Sequence, residues 1–347
     1  MESVDDQLEM ILATGVPGAV AVALRPDGRV EAAAGFADLR TGEALTVDHR
    51  FRIGSVTKIF VAALVLQLVA EGRLLDGEAA PFAEGITIRQ LLNHTSGLDD
   101  FIGDVVTFFE PWRRDPAHSW ELGPREELQL VMQKPRLFAP GEGWAYHGSN
   151  YIVLRLIVEE TTAMPLREAL RQHILTPLGL ERTDLVDGPL RVDCARGYLP
   201  ADNPILPGGP EPVDVTEIDV PFHRAGGGVV STPGEIAKML RAALGGELLP
   251  GELRMEMLEA VESDWEETDR YGLGIGEITA LIGPQRSPCG PAWGHLGFSV
   301  GYTAIALSSE DGERQVVICA NGSPSSPSAS EEFWDAAGRL AWQLYCG

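Results

Sequence analysis

The chain has 347 residues, enough for one large domain or two ordinary ones, and its 44% apolar and 22% charged residues are ordinary for a globular enzyme. A formal net charge of −24 disfavours nucleic acid and anionic membrane surfaces as partners, and no apolar run reaches the length of a membrane span. The four cysteines (Cys194, Cys289, Cys319, Cys346) form no C-x-x-C and the seven histidines no H-E-x-x-H or H-x-H, so neither a disulfide framework, a metal nor a cofactor is expected.

The start, Met1-Glu2-Ser3-Val4-Asp5-Asp6, carries no basic region and no signal-peptide core. The expected location is therefore cytoplasmic, or secreted if a leader has been removed. Val4, Leu8, Ile11 and Leu12 form a helical stripe, with Ser3 and Asp6 placed as a capping box. Gly18 to Leu24, the turn Pro26-Asp27-Gly28, and Arg29 to Gly35 predict a hairpin. Phe51-Arg52-Ile53 reads as strand, Gly54 ends it, and the apolar run Ile59 to Ala70 reads as a buried helix. From about Pro81 to Leu244 the signals are mainly helical, as in Asn150 to Thr161 and Leu166 to Ile174. A loop from Gly197 to Pro221 with six prolines has the length of one that borders a site. Val300 to Leu307 and Arg314 to Ala320 predict a second hairpin, and a last helix puts Trp334, Ala337, Ala341 and Leu344 on one face. The expected fold is α+β: an antiparallel sheet from both termini (1–80 and 245–347), flanked by helices, with a mainly helical region (81–244) inserted.

Ser55-Val56-Thr57-Lys58 stands at the mouth of the buried helix, so Ser55 and Lys58 are expected on one face of its first turn. A serine hydroxyl needs a base within hydrogen-bond reach, and a desolvated lysine one turn away can serve. The helix start also presents N–H groups to an oxyanion. Two later segments carry chemistry: Gly143-Trp144-Ala145-Tyr146-His147-Gly148-Ser149-Asn150 before a helix, and Trp293-Gly294-His295-Leu296-Gly297-Phe298 entering the second hairpin.

With these segments the chain resembles the penicillin-recognising serine enzymes: class C β-lactamases, DD-peptidases, and the related esterases and D-amino-acid peptidases. Leu91 to Leu98 and Gly226 to Thr232 are similar to framework stretches of that family, and the likeness runs from about Val16 to the C-terminus. The resemblance implies a β-lactamase/transpeptidase-like fold with its site at the junction of the two parts. It implies Ser55 as nucleophile, Lys58 and Tyr146 as the proton-transfer pair, His295 in the facing wall, and the N–H groups of Ser55 and Phe298 as oxyanion hole. Which of Lys58 and Tyr146 is the base is open, since a phenol with a pKa of about 10 needs an adjacent cation to act near neutrality. Trp144, His147, Gly148, Leu296, Gly297 and Phe298 are implied around the substrate. Phe101, Phe108, Phe109, Trp112 and Trp120 read mainly as core, with Trp112 and Trp120 as candidate walls of an apolar pocket.

Three positions depart from the family pattern. Gly148 stands where an asparagine usually steadies the lysine and the substrate amide, with Asn150 the nearest candidate to compensate. Leu296 and Phe298 stand where hydroxyls hold a substrate carboxylate, and Arg286 is the nearby cation able to replace them. The expected function is a serine acyl-enzyme hydrolase acting on a small ester, amide or peptide. The alternatives are a transacylase delivering the acyl group to an amine in a biosynthetic pathway, a β-lactamase or D-Ala-D-Ala carboxypeptidase, and a non-catalytic ligand-binding relative. Gly297-Phe298-Ser299-Val300-Gly301 matches a nucleophile elbow, but a strand follows it and no histidine comes later, so it is rejected. Gly272-Leu273-Gly274-Ile275-Gly276 lacks the βαβ setting of a dinucleotide loop.

Overall fold

The computed structural model describes residues 2–74, 82–100, 102, 108–115, 117–190, 193–203, 205–206, 209–219, 224–265, 268, 270–282, 285–324 and 327–347. Phe101, the boundary near Pro81 and part of the proline-rich stretch lie outside them.

The two ends of the chain build one antiparallel sheet. From the N-terminal end come β1 (Gly18–Arg25), β2 (Gly28–Asp38) and β3 (Glu43–Ala44). From the C-terminal end come β9 (Val261–Glu262), β10 (Arg270–Tyr271), β11 (Gly276–Ile278), β12 (Ala292–Ser299), β13 (Tyr302–Ser308) and β14 (Gln315–Ala320). Their order is β3-β2-β1-β14-β13-β12-β11-β10-β9, with Ala19 opposite Ala320 joining the two ends. The Arg25–Gly28 pairing closes the first hairpin around Pro26-Asp27.

Strand period two sorts the sheet into two faces. Ala19, Ala21 and Ala23 of β1 pack with α1 (Val4–Leu12) and α10 (Pro327–Cys346), where Leu8, Phe333, Trp334 and Leu340 fill the layer. The small alanines leave room for those large side chains. Ser3 caps α1, accepting a bond of 3.1 Å from the Asp6 N–H while Asp6 accepts one of 3.1 Å from the Ser3 N–H. Val20 and Val22 point the other way, into the core around α2 (Thr57–Ala70). Eleven of the fourteen α2 residues are buried, so the helix is apolar all round and forms the centre of the molecule. Each large apolar side chain buried there contributes about 1.5–3 kcal/mol relative to exposure.

Helices α6 (Ser149–Thr162) and α7 (Leu166–Leu170) pack on α2, α3 (Ile88–Leu92) and α5 (Pro124–Met132) pack on α6, and Trp112 of α4 (Glu110–Arg114) belongs to a separate apolar cluster. A small sheet, β4 (Phe51–Arg52), β8 (Val229–Ser231) and β5 (Asp184–Leu185), ties the strand before α2 to the middle of the chain. Within the proline-rich stretch, β6 (Tyr198–Leu199) pairs with β7 (Val213–Asp214). Helix α8 (Pro233–Leu244) packs on β1, β13 and β14, and α9 (Gly251–Met257) precedes the last strands.

The cysteine expectation is corrected. Cys289, in the loop before β12, forms a disulfide with Cys346 at the end of α10, while Cys194 and Cys319 remain thiols. The partners are 57 residues apart, and only the docking of α10 on the sheet brings them together.

Candidate active site

The turn before α2 is shaped by its contact with β12. Gly54 has φ +50°, and a Cβ there would lie 2.4–2.7 Å from the backbone of Phe298. A Cβ on Gly297 would lie 2.0 Å from the Ile53 carbonyl oxygen. Glycine at both positions lets β12 rest directly on the turn, beside Ser55. Ser55 itself sits in a 3₁₀ turn, Gly54–Val56, that feeds α2, rather than in the first α-helical turn. Lys58 occupies that first turn.

Lys58 Nζ lies 3.0 Å from Ser55 Oγ and 2.9 Å from the Gly226 carbonyl oxygen. The side chain is 3% exposed. Burial pushes its pKa down to about 7, against a smaller upward pull from Asp100. A neutral amine is therefore accessible near neutrality, with its lone pair within reach of the serine proton. Nζ also lies 4.8 Å from the centre of the Tyr146 ring.

Across the site, His295 on β12 is fully buried. Its Nδ1 is 2.5 Å from the Leu296 carbonyl oxygen, which can only accept, so Nδ1 carries the hydrogen and Nε2 presents a lone pair. Tyr271 Oη lies 3.0 Å from Nε2 and Tyr146 Oη 3.4 Å. Burial, aided by nearby Lys58, lowers the pKa of His295 to about 3, so the ring is neutral over the working pH range. Behind Tyr146 stand His94, with ring centres 4.4 Å apart, and Trp265, stacked at 4.8 Å. His94 holds a left-handed backbone (φ +63°), and its Nδ1 accepts from Asn150 Nδ2 at 3.0 Å and from the His147 N–H at 3.3 Å. Asn150 also accepts from Ser96 Oγ at 2.5 Å, so it is committed to the His94 loop. It does not replace the side chain absent at Gly148. The second partner of Lys58 is the Gly226 carbonyl instead.

Ser55, Lys58, Tyr146, Gly148 and Phe298 line a cavity of about 170 Å³ together with Asp100, Glu127 and Arg224. Sequence reading missed the last three, as well as Tyr271; none stands in a recognisable spacing. Asp100 accepts from the Gly148 N–H at 3.3 Å, and a Cβ on Gly148 would lie 3.8 Å from its carboxylate. Glu127 accepts from Trp120 Nε1 at 3.1 Å, with Arg224 at 3.8 Å. Burial raises the Glu127 carboxyl to about 7, against the downward pull of Arg224. Beyond Phe298 an apolar groove of about 480 Å³ continues, lined by Phe108, Phe109, Leu199 and Val300, with Asp100 and His147 on its border.

Several residues expected around the substrate stand away from the cavity lining. Leu296 is fully buried in the layer under α1 and α10, because strand alternation turns it away from the face carrying His295. Trp112 is fully buried against Phe109 and is not in the lining shared with Ser55 and Lys58. Trp120 stacks on Trp112 and meets the cavity lining through Glu127 and Arg224. Trp144 packs edge-on to His94, and Gly297 serves the close approach to Ile53. Arg286 is exposed in a bridge with Ala280, away from the cavity lining.

A serine–lysine pair at the start of a buried helix, faced by a strand of a sheet made from both termini, defines the penicillin-recognising class of serine enzymes. The family model for beta-lactamases matches residues 4–340, and the chain belongs to this family. It is 34% identical to a D-aminopeptidase of Brucella anthropi over 204 residues, 54% of this chain and 38% of that protein's length. It is 30% identical over 310 residues to Esterase EstB of Burkholderia gladioli, covering 76% of this chain and 75% of the esterase. The crystal structure of a D-stereospecific amidohydrolase from Streptomyces sp. superposes with a TM-score of 0.77 at 29% identity, over 95% of this chain and 97% of that one.

Proposed function

We propose that the protein is a serine hydrolase that cleaves a carboxylate-free ester or amide through an acyl-Ser55 intermediate. The observation that carries this reading is the 3.0 Å contact between Ser55 Oγ and the buried Lys58 amine. Neutral Lys58 takes the hydroxyl proton as Oγ bonds to the substrate carbonyl carbon. The oxyanion forms between the N–H groups of Ser55 and Phe298. Tyr146 gives its phenolic proton to the leaving oxygen or nitrogen as the carbon–heteroatom bond breaks, and the Lys58 ammonium returns a proton to Tyr146. Water then repeats the sequence on the ester, and the acid product leaves.

The cavity supports a particular substrate class. Leu296 is buried away from the cavity and offers no donor, and the side chain of Phe298 contributes only an apolar ring. Of the two arginines of the lining, Arg155 is engaged with Asp187 and Glu159, and Arg224 bonds the Leu122 and Trp120 carbonyls with Glu127 at 3.8 Å, its buried Nε having no partner among the described residues. Asp100 leaves negative charge near Ser55, which repels a carboxylate and attracts an ammonium. An amino-acyl amide or ester with a free amine fits this charge pattern, as do the names of the aminopeptidase and amidohydrolase relatives. The Cys289–Cys346 disulfide favours an oxidising compartment over the cytoplasm as the place of action.

The test compares kcat/KM for an amino-acid amide, its N-acetyl form, and two free acids, benzylpenicillin and a D-Ala-D-Ala peptide. The free-amine amide is expected to lead each of the others by about tenfold or more, the worth of one charge-assisted hydrogen bond. Asp100→Asn is expected to erase its lead over the N-acetyl form. A preference for the free acids would refute this substrate class.

A further inference from the structure

Tyr271 belongs to none of the motifs that mark the site, yet its side chain is fully buried against the catalytic cluster. Its hydroxyl lies 3.0 Å from His295 Nε2, closer than the 3.4 Å of Tyr146. His295 Nδ1 is committed to the Leu296 carbonyl, so Nε2 holds one lone pair in the ring plane. Two phenol hydroxyls thus face one acceptor, and Tyr271 also has the hydroxyl of buried Tyr151 as a hydrogen-bond neighbour. A hydroxyl hydrogen follows its best acceptor, and a buried nitrogen lone pair is a strong one. If Tyr146 donated to His295, its proton would point away from the leaving group and its oxygen would be held towards β12.

We propose that Tyr271 is a positioning residue: it occupies the His295 lone pair and so keeps that histidine from capturing the Tyr146 proton. The inference rests on the serine mechanism proposed above. His295 is then a spacer that sets where the two tyrosines stand, and Tyr271 decides which of them it holds. The Tyr146 hydrogen is then available to the leaving group. Tyr271 comes from β10 and His295 from β12, joined only through β11, so the arrangement depends on the register of the sheet edge. Trp265, 5.0 Å from the His295 ring and stacked on Tyr146, keeps the rings from separating.

The test is Tyr271→Phe, which removes the hydroxyl and keeps the ring. Its kcat is expected to fall about tenfold to a hundredfold, the scale of a misdirected catalytic group, with KM changed less than threefold. Loss of packing alone would raise KM as well. A wild-type kcat, or a rise in KM matching the fall in kcat, would overturn the assignment. On the unmodified protein, ¹⁵N shifts of His295 are expected to show a protonated Nδ1 and a hydrogen-bonded, unprotonated Nε2. A proton on Nε2 would overturn the proposal whatever the variant does. Acylation of Ser55→Ala separates the levels: if that variant still acylates, the serine mechanism fails. If it does not, while Tyr271→Phe matches wild type, only the role of Tyr271 falls.

Discussion

At the scale of single residues, the proposed chemistry turns on the protonation of Lys58. Folding strips water from its amine and lowers its pKa from 10.5 to about 7. In the proposed mechanism the base is the neutral form, so kcat/KM is expected to rise with pH through an acid limb near 7 and to fall below it as the ammonium forms. Glu127 also titrates near 7 in the same cavity, whereas His295, near 3, adds no limb in that range. The Glu127→Gln variant decides between the two. Its pH–rate profile is expected to keep the limb, and a profile flat from pH 5 to 9 would assign the limb to Glu127. Ser55, Lys58, Tyr146 and His295 could be found in the sequence because each sits in a short segment with a local spacing. Asp100 and Tyr271 could not. Each meets its partner through space, Asp100 at the Gly148 amide and Tyr271 across β11, and neither neighbourhood has a pattern that names it.

Among the elements, the contact between the 3₁₀ turn and β12 sets the site. Gly54 meets two demands at once, a left-handed φ of +50° and a backbone neighbour within 2.4 Å of any Cβ. Gly54→Ala is expected to push β12 off the turn, part the Ser55 and Phe298 amides, and lower kcat about a hundredfold. Gly42→Ala is the control, since Gly42 shares a positive φ (+71°) but has nothing within 4 Å. Its kcat is expected to match wild type. Equal kcat in the two variants would show that the contact of Gly54 with β12 does not set the site. The hairpins, the capped first helix and the last helix were legible because period two, period 3.6 and turn residues agree there. Leu296 shows the opposite. In Trp293-Gly294-His295-Leu296-Gly297 the alternation places it opposite His295, yet its motif position suggested a substrate contact.

For the whole molecule, the sheet from both termini was readable from the strands and helix at each end of the chain. The docking that forms the Cys289–Cys346 bond was not, because pairing across 57 residues depends on the packed fold. We propose that the chain divides functionally into the sheet part (1–80 and 245–347) and the mainly helical part (81–244), with α8 packed on the sheet and the site where the two meet. The sheet part supplies Ser55, Lys58, Tyr271, His295 and Phe298, and the helical part supplies Asp100, Glu127 and Tyr146. Such a division leaves the central claim with one covalent signature, the acyl group on Ser55. Intact-mass spectrometry of the protein quenched during turnover of a slow activated ester is the direct measurement. The account predicts a mass increase equal to one acyl group, mapped by peptide digestion to Ser55 and absent from Ser55→Ala. No adduct on the native protein while product forms, or an adduct of equal yield on Ser55→Ala, would contradict it.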